Sequence, residues 1–232
     1  MKTKIFCDSA DYKIIKKFVK NSLVQGFTTN PSLMRLSGAK NYKNYSKKIL
    51  NICRKKPVSV EVFGDNFDQM LKQAHIINSW GKNVYVKIPI VNSKGHFSGK
   101  AIKELSESGV KLNITAVYTV PQVKKIIKNI NKSSKTIISI FSGRMSDVGK
   151  DPVPIIKKSV NLTKKLKNVK ILWASTREAY NYTQAKNCGC SIITTPSSII
   201  NKISKFGKSY SELTLDTVKK FLSDSKDSNF KI

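Results

Sequence analysis

Lys87, set between Val84-Tyr85-Val86 and Ile88-Pro89-Ile90, is the residue whose type and surroundings most directly suggest chemistry. Enclosing a lysine among apolar neighbours disfavours its ammonium form, and a neutral amine is a nucleophile that adds to carbonyls. A second reading of the same segment packs the lysine stem along an interior and pairs its charge with Glu61 or Asp8, as a buried charge requires. The company it keeps weighs toward chemistry. Asp8 ends one apolar run, Thr28-Thr29-Asn30 ends a second, and Ser175-Thr176-Arg177 follows a third.

Positioning these groups requires a scaffold, and the sequence supplies its outline. Short β-branched runs alternate with helical periods along nearly the whole chain, the pattern of a parallel sheet covered by helices. Strands are predicted near 4–8, 25–29, 58–63, 84–88, 111–117, 136–141, 169–174 and 191–194. About eight β-α units in 232 residues favour an α/β fold of one closed (β/α)8 TIM barrel, a single domain over 1–232. Helices are expected from Phe67 to Trp80 and from Pro121 to Ile130, with Gly109 and Gly189 as helix C-terminal glycines. A further amphipathic helix over 213–227, carrying Leu215, Val218, Phe221 and Leu222 on one face, falls outside the barrel count. It is expected to pack on the barrel or on a neighbouring subunit.

Alternate residues of a barrel strand point inward, and those at its C-terminal end face the mouth where barrel enzymes work. Ser59 and Glu61 share one parity, as do Asn113 and Thr115, and as do Ser139 and Phe141. With Asp8, Thr28, Asn30 and Lys87 they define a polar cup. Arg144 and Arg177 follow the sixth and seventh strands, where barrels commonly bind phosphate. Either arginine alone reads as a surface salt bridge, whereas the two together suggest bidentate phosphate capture.

Other chemistries find less support. His75 lies in a predicted helix and His96 in a loop, neither with partners for a metal or a Ser-His-Asp system. There is no P-loop or G-x-G-x-x-G run, so no metal and no cofactor are expected. Cys7, Cys53, Cys188 and Cys190 read as small buried side chains of a reduced protein. The start of the chain goes straight into a strand pattern and no segment reaches about 18 apolar residues, so a cytoplasmic protein with no membrane partner is expected.

The formal net charge of +29, from 43 Lys and Arg against 14 Asp and Glu, raises a basic nucleic-acid-binding barrel as a rival of a different class. Arginine occurs only at 35, 54, 144 and 177, asparagine is abundant, and no helix-turn-helix, stacking motif or basic arm accompanies the charge. A compositional bias fits the charge at least as well as a binding surface does, and no nucleic-acid partner is expected.

The ordered set Phe6-Cys7-Asp8-Ser9-Ala10, Thr28-Thr29-Asn30-Pro31-Ser32-Leu33, Val58-Ser59-Val60-Glu61, Val86-Lys87-Ile88-Pro89, Leu112-Asn113-Ile114-Thr115-Ala116 and Phe141-Ser142-Gly143-Arg144 resembles the transaldolase family over roughly residues 4–200. The resemblance implies that Lys87 forms a Schiff base with a ketose, that Asp8 takes the C4 hydroxyl proton, and that Glu61 with Thr115 positions a proton-shuttling water. It implies that Thr28, Asn30, Asn113 and Ser139 bind the dihydroxyacetone hydroxyls, with Ser59 counted beside them. Arg144, Ser175 and Arg177 would hold phosphate, and Phe141 would shape the pocket. Glu61 and Phe141 resemble the choices of transaldolases proper, where the related fructose-6-phosphate aldolases typically carry Gln and Tyr. The segments 92–97 and 144–147 match no specificity pattern, so donor and acceptor stay open. A fructose-6-phosphate aldolase-like enzyme and a transaldolase for an unusual sugar stand as alternatives to a transaldolase acting on common ketose and aldose phosphates. The implied substrates are sugar phosphates, and the compact length resembles the branch that assembles as multi-subunit rings, implying a homo-oligomer.

Overall fold

A computed structural model describes residues 3–228; residues 1–2 and 229–232, which the single-domain reading also takes in, lie outside the described residues. The chain runs β1 (Lys4–Asp8), α1 (Tyr12–Val19), β2 (Val24–Thr28), α2 (Pro31–Leu36), α3 (Tyr42–Ile52), β3 (Val58–Glu61), α4 (Phe67–Asn78) and β4 (Val84–Pro89). It continues α5 (Gly99–Glu107), β5 (Leu112–Val117), α6 (Val120–Asn129), β6 (Thr136–Ile140), α7 (Ser142–Ser146), α8 (Val153–Thr163) and β7 (Val169–Trp173). It ends α9 (Tyr180–Asn187), β8 (Ile192–Thr195), α10 (Ser197–Ile203) and α11 (Tyr210–Asp227). The eight strands are parallel and close on themselves through β1 and β8.

Two apolar layers hold this barrel. Outward-facing strand residues such as Val58, Val60, Val84, Val86, Ile88 and Ile114 are fully buried against the helices. Inside, Phe6, Ile137, Leu172, Ala174 and Ile192 pack together with Tyr85 and Phe141 at the margin. Gly26 makes that inner packing possible: a Cβ there would lie 2.6 Å from the Phe6 ring, so the ring occupies the space an ordinary side chain would need.

Helix starts follow local side-chain chemistry. Asp11 accepts from Ile14 N at 3.0 Å, Asn66 from Gln69 N at 2.9 Å, and Thr119 with Gln122 forms a reciprocal capping box. Gly109 and Gly189, at φ +74° and +77°, follow the ends of α5 and α9 as expected. The helix expected over 67–80 stops at Asn78, with Ser79 as its cap. The short α2 and α7 were not expected; both sit at the mouth of the barrel. Helix α11 starts earlier than its predicted 213 and buries none of its residues on the barrel.

Candidate active site

Strand register assembles the polar cup. Asp8 is paired with Thr28 across β1 and β2, and Lys87 lies between Glu61 on β3 and Asn113 on β5. Lys87 is only 8% exposed; its Nζ lies 3.1 Å from Glu61 Oε2 and donates to the Thr29 carbonyl at 3.4 Å. The second reading of Lys87, a buried charge paired with Glu61, is therefore also present as geometry, and the two readings share one arrangement. Tyr42 fixes the other end of that pair: its hydroxyl donates to the Glu61 carbonyl at 2.8 Å and accepts from Glu61 N at 3.1 Å.

Asp8 receives a hydrogen bond from the Thr28 hydroxyl at 2.7 Å, and Thr28 in turn accepts from Thr194 at 2.5 Å. Burial pushes the Asp8 carboxyl above its ordinary range, opposed by the Thr28 hydrogen bond and the Lys87 charge and reinforced by Glu61. A carboxylate held this way is poised to accept a proton.

Across the cup, Ser139 Oγ donates to Asn113 Oδ1 at 2.6 Å and Asn113 Nδ2 donates to Ser59 Oγ at 2.9 Å. This chain fixes Asn113, which is fully buried. Thr115 Oγ1 is buried with no hydrogen-bond partner among the described residues, and a register shift after Ile114 with Ala116 at φ +58° sets its place on β5. Asn30 uses Oδ1 to cap α2 through Leu33 N at 2.9 Å, which leaves its amide nitrogen for the cup.

These groups surround a cavity of about 130 Å³. Ten of the thirteen site residues expected from sequence line it: Asp8, Thr28, Asn30, Lys87, Asn113, Thr115, Ser139, Phe141, Arg144 and Ser175. Glu61 reaches the cavity only through Lys87, and Ser59 lies behind Asn113. Arg177 is engaged elsewhere: Nε donates to Asp147 Oδ1 at 2.9 Å and the guanidinium closes a second bond to Oδ2 at 2.5 Å. Arg144 stands over the Phe141 ring at 5.7 Å and forms no hydrogen bond or ion pair with a described residue. Thr194 and Ala174 also line the cavity and were missed. The inward parity of Thr194 on the eighth strand was the available signal. Tyr42 could not be found from spacing, because it reaches Glu61 from a helix nineteen positions away.

One backbone detail shapes the arginine side of the cup. Gly143 approaches Ser175 so closely that a Cβ would lie 1.5 Å from the Ser175 carbonyl oxygen. Ser175 itself has φ +64°, an uncommon conformation that costs on the order of 1 kcal/mol and tends to persist at functional sites.

His75 and His96 are both exposed, and the four cysteines are buried and unpaired, with burial pushing Cys7 up to about 12. The segment 92–97 forms a tight hairpin, bridged at Val91 and Phe97 and tied to Asp65 through Ser93 N at 2.7 Å. No helix among the described residues is long and apolar enough to cross a membrane.

Comparison with known proteins bears on this geometry. The barrel resembles a structure titled "Native KDPGal structure" with a TM-score of 0.58 at 10% identity, covering 90% of this chain and 88% of that one. It also resembles 3-hexulose-6-phosphate synthase from Salmonella typhimurium with a TM-score of 0.56 at 13% identity, covering 86% and 91%. At such identities the likeness speaks for the fold alone. Sequence relatives are nearer: a probable transaldolase of Thermoplasma volcanium is 34% identical over 228 residues, covering 96% of this chain and 98% of the relative. "Probable transaldolase 2" of Listeria monocytogenes is 35% identical over 206 residues, covering 86% and 88%. The family model described as Transaldolase/Fructose-6-phosphate aldolase matches residues 5–232, and the chain belongs to that family.

Proposed function

We propose that the protein is a transaldolase that moves a dihydroxyacetone unit from a ketose phosphate, sedoheptulose 7-phosphate or fructose 6-phosphate, to an aldose phosphate, glyceraldehyde 3-phosphate or erythrose 4-phosphate, using Lys87 as a Schiff-base lysine. The observation that carries the proposal is the placement of a buried lysine amine 3.1 Å from one carboxylate in a cavity that holds a second, hydrogen-bonded carboxylate. Family membership narrows that chemistry to transaldolase or aldolase work.

In this reading Glu61 takes the proton that frees the Lys87 amine, and the amine adds to the ketose C2 carbonyl. Loss of water from the carbinolamine leaves an iminium ion. Asp8 accepts the C4 hydroxyl proton as the C3–C4 bond breaks, and the bonding electrons flow into the iminium to give an enamine and a free aldehyde. The acceptor aldehyde then takes the enamine carbon, and hydrolysis returns Lys87. The unpartnered Thr115 hydroxyl suits a water relayed between Glu61 and the reacting nitrogen. Asn113, held by Ser139 and Ser59, and the spare amide of Asn30 suit sugar hydroxyls.

Arg144, which lines the cavity and forms no ion pair with a described residue, is the better phosphate ligand, with the Ser175 hydroxyl beside it. Arg177 is assigned a supporting role through Asp147. The exposed apolar stripe of α11 favours a homo-oligomer, and four unpaired thiols suit a reducing cytoplasm.

Incubation with fructose 6-phosphate and borohydride, followed by peptide mass mapping, tests the reading. A reduced adduct on Lys87 is expected, together with transfer to erythrose or glyceraldehyde phosphates and little free dihydroxyacetone when no acceptor is added. Undiminished transfer by Lys87→Ala would overturn it. Dihydroxyacetone released at the rate of donor cleavage would make the enzyme an aldolase.

A further inference from the structure

The opposite end of the barrel carries a second cavity, of about 380 Å³, with no part in the chemistry above. Its floor is apolar and aromatic: Phe6, Tyr85, Ile137 and Ile192 line it, each two positions below a residue that lines the catalytic cavity on the same strand. Its rim is made of lysines. Lys4, Lys135, Lys167 and Lys170 line it, and none makes a salt bridge among the described residues. Lys4, Lys135 and Lys170 share the inward parity of Asp8, Ser139 and Leu172, so they stand where a barrel is ordinarily plugged with branched apolar side chains.

A general lysine bias does not account for this placement. The connections that close the barrel at this end are 20–23, 53–57, 79–83, 108–111, 130–135, 164–168 and 188–191; together they hold eleven Lys or Arg and no Asp or Glu. At the catalytic end, the connections 9–11, 29–30, 37–41, 62–66, 90–98, 118–119, 141, 147–152, 174–179 and 196 hold four Lys or Arg and five Asp or Glu. Bias of composition would load both ends alike.

We propose that the N-terminal mouth of the barrel is a binding site for a small phosphorylated molecule with a planar body, of the nucleoside phosphate class. The lysine rim takes the phosphates and the Phe6–Tyr85 floor takes the ring, a division common to small-ligand pockets. The Tyr85 hydroxyl has no hydrogen bond to a described residue and serves as a further donor. Lys111 stands beside the floor, 5.6 Å above the Tyr85 ring centroid, and burial followed by the Lys135 charge holds its ammonium below the ordinary range; an anion in the mouth relieves that repulsion. A pit closed by a ring of strands admits one small molecule but gives a nucleic-acid strand no groove to follow, which favours the small ligand. The proposal is independent of the Schiff-base reading.

Calorimetric titration of the full chain with ATP, inorganic pyrophosphate and a short oligothymidylate tests it. Expected are saturable binding of one ATP per chain, weaker binding of pyrophosphate, and at least about a tenfold loss of ATP affinity in Lys135→Ala/Lys170→Ala. Arg144→Ala, at the catalytic mouth, should bind ATP as the parent does. A thermal scan checks that the double variant is folded, and Lys4→Ala is a second, independent disruption of the rim. Absence of ATP binding, binding unaltered by both rim variants, or binding lost in Arg144→Ala overturns the site. Pyrophosphate binding as tightly as ATP removes the aromatic floor from the recognition and overturns the nucleotide class. Tighter, strand-length-dependent binding of oligothymidylate overturns it in favour of a nucleic-acid surface.

Discussion

Replacing Glu61 by Gln keeps the shape of the side chain and removes only its charge, which isolates the attraction to Lys87. At 3.1 Å two unit charges attract by about 1.3 kcal/mol in bulk water and by about 5 kcal/mol at the effective dielectric of a protein interior. The Lys87 side chain is 10% exposed and that of Glu61 19%, so the pair lies between these limits, and the variant should lose about 2 kcal/mol of stability. For a chain of this size that is a fall in Tm of about 4–8 °C. Lys87→Met leaves Glu61, the more exposed partner, to solvent and should cost less. The double variant should recover much of the combined loss, giving a coupling energy of about 1–3 kcal/mol. Thermal unfolding of the four proteins by circular dichroism, at one protein concentration because an oligomer melts according to mass action, gives the coupling directly. Single effects that add to within about 0.5 kcal/mol would show that Lys87 is not held by Glu61, and Glu61 could then not be its immediate proton acceptor.

Asp8→Asn should stabilise the fold at neutral pH while abolishing transfer. Because folding raises the carboxyl's affinity for its proton, ionising Asp8 costs stability once the pH rises above about 4, where the unfolded chain titrates freely, and costs nothing below. The Tm gain should shrink toward zero by about pH 3, and a gain independent of pH would refute the assignment. Ser139→Ala leaves the fully buried Asn113 without its donor and should cost about 1–3 kcal/mol in urea unfolding, with a higher KM for the ketose. Gly143→Ala drives a methyl into the Ser175 carbonyl; steady-state kinetics should show a fall in kcat/KM of at least about tenfold while the far-ultraviolet spectrum is kept. Unchanged kinetics would mean that the close approach of these two loops does not shape the site.

The strands were legible because a parallel barrel buries both faces of each strand, which makes short β-branched runs stand out, and their polar interruptions marked the site. Parity points Asn113 and Ser139 to the interior, since the period of a strand is fixed at two, and Lys87 stands out by its apolar flanks at the end of its strand. What parity could not convey was partnership. Arg177 has the right position in the loop after the seventh strand, yet Asp147, thirty residues earlier, claims its guanidinium. Tyr42 acts on Glu61 from a helix whose approach depends on tertiary packing. The five-residue α7, which carries Arg144, is too short to show a period. The segregation of lysines toward one mouth also escaped composition, because it appears only when connections are sorted by the end of the barrel they close.

Helix α11 has a consequence for how the protein behaves as it is diluted. Eighteen residues with no buried side chain have little beyond local hydrogen bonds, a capping box and two ion pairs to hold them helical, whereas most helical stability in proteins comes from packing an amphipathic face against something else. Its order thus becomes a gauge of whether its apolar stripe is covered. Proteolytic clipping between Tyr210 and Asp227, slow in concentrated solution and rapid in dilute solution while the barrel stays intact, would read out assembly from a single segment.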